Sequence, residues 1–174
     1  YLLDKECKII FKVQDCLVEL LSNIHNEIKV ISEKDFFEDF DYQIPLISLL
    51  YEMDFDPKKY NYKPSYLNYH NIDKSDEWRS KFNNKEFLIG VSWQASKNSE
   101  GKSFKLKQLK EIANIKGVKL VSLQKNFGVE QLNDDLDFEI QELGENFDNQ
   151  SQAFIDTAAV IKNLDLIITC DTAL

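Results

Sequence analysis

Short apolar runs alternate with amphipathic stretches along most of this chain. In the first half, two runs rich in β-branched residues, Cys7–Val13 and Ile28–Ile31, are separated by apolar positions at helical spacing. This pattern predicts a strand, a helix capped by Asp15 and a second strand. After an acidic stretch, the run "YQIPLISLL" predicts a third extended segment, with Pro45 at a sheet edge or strand end. The order strand, helix, strand is typical of an α/β protein.

The alternation of strands and helices begins again in the second half. The runs "FLIGVSW", "VKLVSLQ", "DFEIQEL" and "LIIT" (Leu166–Thr169) predict strands, and the last of these predicts a buried one. Helices are predicted at "KLKQLKEIANI" and "SQAFIDTAAVIKNL", the second capped by Ser151. Before this restart, Met53–Asn71 has no sustained period and predicts a long connection, followed by a helix that carries Trp78. We therefore expect two Rossmann-like α/β domains, residues 1–83 and 84–174, each built on a parallel sheet.

Composition and charge narrow the range of partners. The 174 residues carry a net charge of −9, which disfavours nucleic acid and anionic membranes because either requires a basic face. No apolar run approaches the roughly 20 residues of a membrane span, and no signal-peptide pattern occurs. The cysteines Cys7, Cys16 and Cys170 are scattered without paired spacing, which is typical of reduced thiols. We therefore expect a cytoplasmic protein with no membrane span and no nucleic acid partner.

Polar residues follow three of the predicted strands in the second half. Because parallel strands end on the same side of a sheet, we expect these residues to share one rim. Backbone N–H groups and a threonine hydroxyl can donate hydrogen bonds to a diphosphate there, and a lysine supplies a positive charge. The candidate binding residues are Trp93, Gln94, Ser96, Lys102, Ser103, Gln124, Lys125, Asp171 and Thr172.

The main candidates also have purely structural interpretations. Asp171 can cap a following helix, and Lys102 can be a solvated loop residue. In that case Lys97, which lies nearby in the same loop, can contact the phosphate instead. Gln124 and Lys125 can be an ordinary polar pair at a strand end. A carboxylate beside a diphosphate is repulsive, so we expect Asp171 to orient the loop or a sugar or ribose hydroxyl rather than to contact phosphate.

Several segments occur in an order that carries a resemblance to a known family. They are "FDYQIPLISL", "PSYL", "IGVSWQAS", "KSFKLKQL", "VKLVSLQK" and "DTAAVIKNLDLIITCDTAL". In this order the segments resemble the glycosyltransferase region of bacterial tetratricopeptide-repeat proteins, which is related to the heptosyltransferases and, more distantly, to the O-GlcNAc transferases. The resemblance covers Cys7 to Leu174. Its most specific part is residues 156–174, where two Asp-Thr-Ala triplets frame a helix and a strand.

The resemblance implies a GT-B fold, in which two Rossmann-like domains face each other across a cleft. Residues 1–83 would be the later part of the acceptor-side domain with the interdomain linker, and residues 84–174 the first part of the nucleotide-sugar-binding domain. The implied activity is metal-independent transfer of a sugar from a nucleotide-diphosphate sugar to an unknown protein or glycan acceptor, with no cofactor. The chain would be a fragment that is inactive alone. Its catalytic base would lie upstream, and its parent chain would carry N-terminal tetratricopeptide repeats.

One departure from the family pattern leaves a second function open. The family usually has an arginine where this sequence has Lys102, and this change favours a non-catalytic binding or scaffold module that retains the GT-B fold. A lysine offers a point charge and not the two-pronged donor of an arginine. A generic Rossmann nucleotide-binding protein is a third possibility, but it is weakened because no G-x-G-x-x-G or P-loop motif occurs.

No metal site or sugar-stacking site is expected. His25 and His70 have no cysteine or histidine at ligand spacing. The run "DDLD" at residues 134–137 imitates the Asp-x-Asp metal motif of the other glycosyltransferase class, but it falls in an acidic turn. The three tyrosines of residues 60–66 are interpreted as part of an interdomain connection, and Trp78 as a core or interface residue.

Overall fold

Two compact units make up the chain, Tyr1–Tyr69 and His70–Leu174. Both contain a parallel sheet with helices between its strands. The protein is therefore a mixed α/β protein with parallel sheets, which confirms the predicted fold class at this level. The structure is a computed structural model that describes residues 2–37, 39–59, 67, 72–83, 85–97, 101–149 and 153–172.

The first unit pairs two strands that flank a short helix in sequence. β1 (Ile9–Val13) and β2 (Ile28–Ser32) are parallel, and α1 (Val18–Leu21) connects them. This confirms the predicted order of strand, helix and strand, with a helix shorter than its apolar pattern suggested. Among the described residues of this unit, the buried apolar ones are Val13, Leu20 and Ile31.

Asp15 does not cap the helix, which corrects the prediction. The 3-10 turn Asp15–Leu17 that precedes α1 starts after Gln14 without a side-chain cap. The Asp15 carboxylate instead accepts hydrogen bonds from Lys34 Nζ at 2.7 Å and Ser32 Oγ at 2.9 Å. The hydrogen bond from Lys34 has the larger effect and that from Ser32 the smaller, and together they hold the pKa of Asp15 below its usual value. The carboxylate therefore links the start of α1 to the end of β2.

The predicted third strand of the first unit is wrong, because this segment forms α2 (Leu46–Glu52). Pro45 directly precedes the helix, with φ −61° and ψ 138°. Its missing N–H costs nothing there, because the first N–H groups of a helix have no acceptor within the helix. Leucines at helical spacing then favour the helix over a strand. α2 buries none of its residues, and its side chains Ile47 and Tyr51 are largely exposed.

The second unit contains a four-stranded parallel sheet in the order β5-β4-β3-β6. Its strands are β3 (Phe87–Ser92), β4 (Val118–Ser122), β5 (Ile140–Gln141) and β6 (Leu166–Thr169). Its helices are α3 (Ile72–Arg79), α4 (Lys110–Ala113) and α5 (Ile155–Ile161), with 3-10 turns at Leu106–Leu109 and Val129–Asn133. Counted within the unit, this order is 3-2-1-4, the order with which a Rossmann sheet begins.

Apolar side chains cover both faces of the central strand β3. Leu88 joins a cluster with residues of α3 and α5, whereas Ile89 and Val91 join a cluster on the other face with Leu106. This alternation is what a central parallel strand requires. In the part of the chain that the structure describes, β6 pairs with β3 alone and forms an edge, although its sequence predicted a strand buried on both faces.

The division between the units falls before α3 and not at residues 83–84, where the sequence predicted it. Trp78 and Phe82 are 5% and 7% exposed and belong to the core of the second unit. The Trp78 ring meets Phe147 edge to face, with ring centroids 5.8 Å apart. The helix therefore completes the second core, and the interpretation of Trp78 as a core residue is confirmed. The tyrosines of residues 60–66 lie outside the described residues.

Candidate functional site

The carboxyl ends of β3, β4 and β6 meet at one edge of the second sheet. Ser92 of β3 pairs with Thr169 of β6, and the next N–H, that of Cys170, donates to the Ser92 carbonyl at 2.9 Å. The strand order reverses between β3 and β6, and we call this place the switch point. In open α/β sheets a ligand site typically lies beyond the carboxyl ends of the strands at such a reversal.

Lys102 and Asp171 meet beside the switch point. Lys102 lies in the loop after β3, Asp171 directly follows β6, and their Nζ and Oδ2 atoms are 2.6 Å apart. The side chains are 50% and 73% exposed, so both charged groups reach solvent. An exposed pair of this kind contributes little to folding, about 0–1 kcal/mol. The opposite charges lie side by side, so each weakens the electrostatic field of the other at the site.

Gln124 lies at the same edge, but its amide is engaged by the protein. The side chain is 9% exposed, and its Oε1 atom accepts hydrogen bonds from the N–H groups of Trp93 and Gln94, both at 2.9 Å. Its Nε2 atom donates to the carbonyl of Gln94 at 2.9 Å and to that of Phe127 at 2.6 Å. Gln124 therefore holds the loops after β3 and β4 together, and its contact with a ligand stays a prediction.

The Trp93 ring points into the core and not into the site. It is fully buried, and its Nε1–H donates to the carbonyl of Gly128 at 2.9 Å. Gly128 has φ 91°, and a Cβ atom there would lie 2.4 Å from the Cβ atom of Gln94. The close approach of the two loops thus requires glycine. The backbone of Trp93 lies at the predicted rim, whereas its buried indole ring holds the loop after β4 through the hydrogen bond to Gly128.

The loop after β3 closes on itself through Ser103. The Ser103 hydroxyl accepts a hydrogen bond from the N–H of Ala95 at 3.0 Å. Beyond this loop, the N–H groups of Lys105 and Leu106 donate to side-chain oxygens of glutamines at 2.9 Å. These first amides of the 3-10 turn are therefore engaged within the protein. Ser96 and Thr172, two further candidates, are exposed at the same end of the sheet.

Lys125 contacts the protein rather than the space above the sheet. Its ammonium donates to the carbonyls of Phe147, at 2.7 Å, and Asp148. It therefore fixes the loop that follows β5. Next to it, an open groove of about 480 Å³ lies between the ends of β4 and β5, with Asn126 and Glu142 among its lining residues.

A buried cluster around Asp156 was not predicted from the sequence. Its carboxylate, in the first Asp-Thr-Ala triplet, accepts a hydrogen bond from Trp78 Nε1 at 2.9 Å and lies 3.1 Å from Lys74 Nζ. Burial by itself raises the pKa of Asp156, but the hydrogen bonds from Trp78, Lys74 and the Asp148 N–H outweigh burial and hold the pKa below its usual value. The signal in the sequence was an aspartate on the otherwise apolar face of a helix.

Asp148 caps α5. The cap predicted from the sequence, Ser151, lies outside the described residues. The Asp148 carboxylate accepts hydrogen bonds from the N–H groups of Asp156, at 2.8 Å, and Thr157, at 3.2 Å, and from the Thr157 hydroxyl. In return, the Asp148 N–H donates to Asp156 Oδ2 at 3.0 Å. Through Lys125, this cap is connected to the edge that carries the candidate site.

The acidic run at residues 134–137 takes part in surface contacts. Asp137 pairs with Lys110, whose hydrogen bond lowers the pKa of this carboxyl group. Among the described residues, no group of three or more histidine, cysteine, aspartate or glutamate side chains could hold a metal ion.

Comparison with protein-family models, with curated proteins and with solved structures found no match for this chain. The class of the protein therefore follows from its fold: a mixed α/β protein whose second unit has a parallel sheet of order 3-2-1-4. In the part of the chain that the structure describes, no helix has the length and apolar character needed to cross a membrane.

Proposed function

We propose that this chain is part of a metal-independent GT-B glycosyltransferase whose second unit binds a nucleotide-diphosphate sugar. The observation that best supports the proposal is the switch point of the second sheet, where Lys102 and Asp171 meet in an exposed position. The motif order described above supports the same activity. The acceptor would be a protein or a glycan.

The charge of the loop after β3 suits an anionic donor. Residues 97–107 carry four lysines and one glutamate, within a chain whose net charge is −9. A cation beside the diphosphate stabilises the negative charge that develops as the nucleotide leaves. In this proposal Lys102 carries that role, and the hydroxyl of Thr172 donates to a phosphate oxygen.

Gln124 and Trp93 act in this proposal as positioning residues. They hold the loop that carries Lys102 through the hydrogen bonds described above. A charged group stabilises a transition state best when its position is fixed before the reaction, because no energy is then needed to reorient it. Binding of the nucleotide sugar would therefore depend on Gln124 and Trp93, although neither side chain would touch the nucleotide sugar.

The second candidate is a binding or scaffold module without catalysis. The specific observation in its favour is that Lys102, where the family has an arginine, already pairs with a carboxylate through a single point contact. A lysine in this arrangement can bind a phosphate without the fixed geometry of a bidentate guanidinium. Such a module would bind the nucleotide sugar and leave it unchanged.

Sugar transfer by the full-length protein tests the proposal. We expect release of nucleoside diphosphate from a panel of nucleotide sugars, and we expect Lys102→Ala to lower the rate by roughly tenfold or more. Lys116→Ala is the matched control, because this exposed lysine precedes β4, at the opposite end of the strand from the site. Binding without turnover by the full-length protein would favour the scaffold module, and no binding of any nucleotide would refute both functions.

A further inference from the structure

We propose that Asp171 is a specificity-determining residue that favours the nucleotide sugar over the free nucleoside diphosphate. This inference rests on the proposed function, because it concerns the same site. It assigns to the carboxylate an electrostatic task and not a contact with the ligand. The carboxylate weakens the electrostatic field of Lys102 and so lowers the preference of the site for the more highly charged of two anions.

The geometry gives both charged groups access to an incoming anion. The Nζ and Oδ2 atoms are 2.6 Å apart, and the two side chains are half-exposed or more. A phosphate that approaches Lys102 therefore also comes within a few ångströms of the Asp171 carboxylate. At such distances the carboxylate repels the phosphate in proportion to its charge.

The substrate and the product of sugar transfer differ in charge. In a nucleotide sugar each phosphate has one ester bond and shares the bridging anhydride oxygen, so each carries one negative charge. The free nucleoside diphosphate has a terminal phosphate with a second ionisation near pH 6, so at about pH 8 it carries about one additional charge. A lone lysine would bind the product more tightly than the substrate. A carboxylate at the same place opposes this preference.

The consequence for the reaction is easier release of the product. An additional unit charge near an exposed carboxylate corresponds to roughly a fivefold difference in binding. A site with Lys102 alone would retain the nucleoside diphosphate after transfer, and release of product often limits enzyme turnover. The pair therefore weakens retention of the product more than it weakens binding of the donor, because the product carries the additional charge.

Titration calorimetry of the full-length protein at about pH 8 tests this inference. The probes are UDP, GDP and ADP, each compared with its glucose ester. For the nucleotide that binds, the measured quantity is the Kd of the sugar ester divided by the Kd of the free diphosphate. We expect Asp171→Asn, which keeps the shape and removes the charge, to raise this ratio roughly fivefold by tightening the binding of the diphosphate.

Two further variants make the result specific. Lys102→Ala removes the opposite charge, so it should weaken both ligands and lower the ratio. Asp135→Asn is the matched control, since this exposed aspartate lies in the segment before β5, and the ratio should stay unchanged. An unchanged ratio in Asp171→Asn would overturn the inference. So would a selective loss of the sugar ester, which would make Asp171 a contact to the sugar. If the wild-type protein binds none of the probes, the proposed function itself fails.

Discussion

At the residue scale, Asp156 shows how a buried charge is kept in this protein. The side chain is 6% exposed, yet three donors surround it: the Trp78 indole, the Lys74 ammonium and the Asp148 N–H. A buried carboxylate is stable in its charged form when hydrogen-bond donors surround its oxygens. If the carboxylate is removed, those buried donors lose their acceptor. Asp156 is therefore a point where one substitution disturbs α3, α5 and the loop after β5 together.

The substitution Asp156→Asn should lower the free energy of unfolding by about 1–3 kcal/mol at neutral pH, because Lys74 loses its counter-charge. Because the pKa of Asp156 is lower in the folded than in the unfolded state, its contribution is complete above the unfolded pKa, about 3.9, and is lost as the pH falls through the folded pKa. Urea titrations between neutral and strongly acidic pH should thus show a difference between wild type and variant that shrinks below about pH 4.

The control for this experiment is Asp135→Asn, an exposed aspartate whose loss should change the unfolding free energy by less than about 0.5 kcal/mol. A difference between wild type and Asp156→Asn that is independent of pH would contradict a carboxylate held ionised in the folded state.

At the element scale, caps and packing decide where helices form. α2 replaced a predicted strand because leucines at helical spacing follow Pro45, and no neighbouring strand is paired with this segment in the described first unit. α5 begins after Phe154 at φ 68°, and its first amides are bound by Asp148, which precedes the helix by several residues. The start of α5 therefore depends on a partner outside the local apolar pattern, whereas α2 follows from Pro45 and the spacing of the leucines after it.

The cap of α5 gives a second prediction. Asp148 has φ 48°, so Asp148→Ala loses the cap and also places alanine in the left-handed region. We expect a cost of about 2 kcal/mol, of which about half is the cap. Asp148→Asn keeps one acceptor oxygen and tolerates the same φ, so thermal unfolding should show a clearly smaller loss. Equal losses in the two variants would mean that the capping oxygen contributes nothing.

At the scale of the whole molecule, the chain consists of two units that divide between Tyr69 and His70. The two large apolar clusters of the described residues lie in the second unit. The helix α3 contributes Trp78 to one of them, and the segment directly after α3 contributes Phe82. A parallel sheet needs cover on both of its faces, and α3 with α5 provides it on one. The unit is therefore defined by its core rather than by the restart of the strand pattern.

This gives a third prediction, on two fragments that differ in their first residue. Residues 70–174 should unfold cooperatively, whereas residues 84–174, which begin at the boundary predicted from sequence, should be much less stable. The shorter fragment lacks Trp78 and Phe82, and loss of one large buried aromatic costs about 3–5 kcal/mol. Circular dichroism with heating measures the difference. Equal melting temperatures would place the boundary where the sequence put it.

Much of the second sheet was predictable, because its strands are short apolar runs with polar residues at both ends. The strands at Phe87–Ser92 and Val118–Ser122 formed where the pattern indicated. The common edge of the candidate residues also followed, since parallel strands end on one side. The pairing of Lys102 with Asp171 was not predictable, because 69 positions separate them and loop geometry alone brings them together.

The sequence by itself determined the α/β class, the parallel sheets and the edge at which Trp93, Gln124 and Asp171 lie, because periodicity and strand direction are local properties. Tertiary structure alone decided what these side chains contact. In the folded protein the Trp93 ring lies in the core, and the Gln124 amide is hydrogen-bonded within the protein. Lys102 and Asp171 are paired and exposed. The physical reason is that burial and hydrogen-bond partners depend on which loops meet in space, and the pattern of apolar and polar residues along the chain does not contain that information.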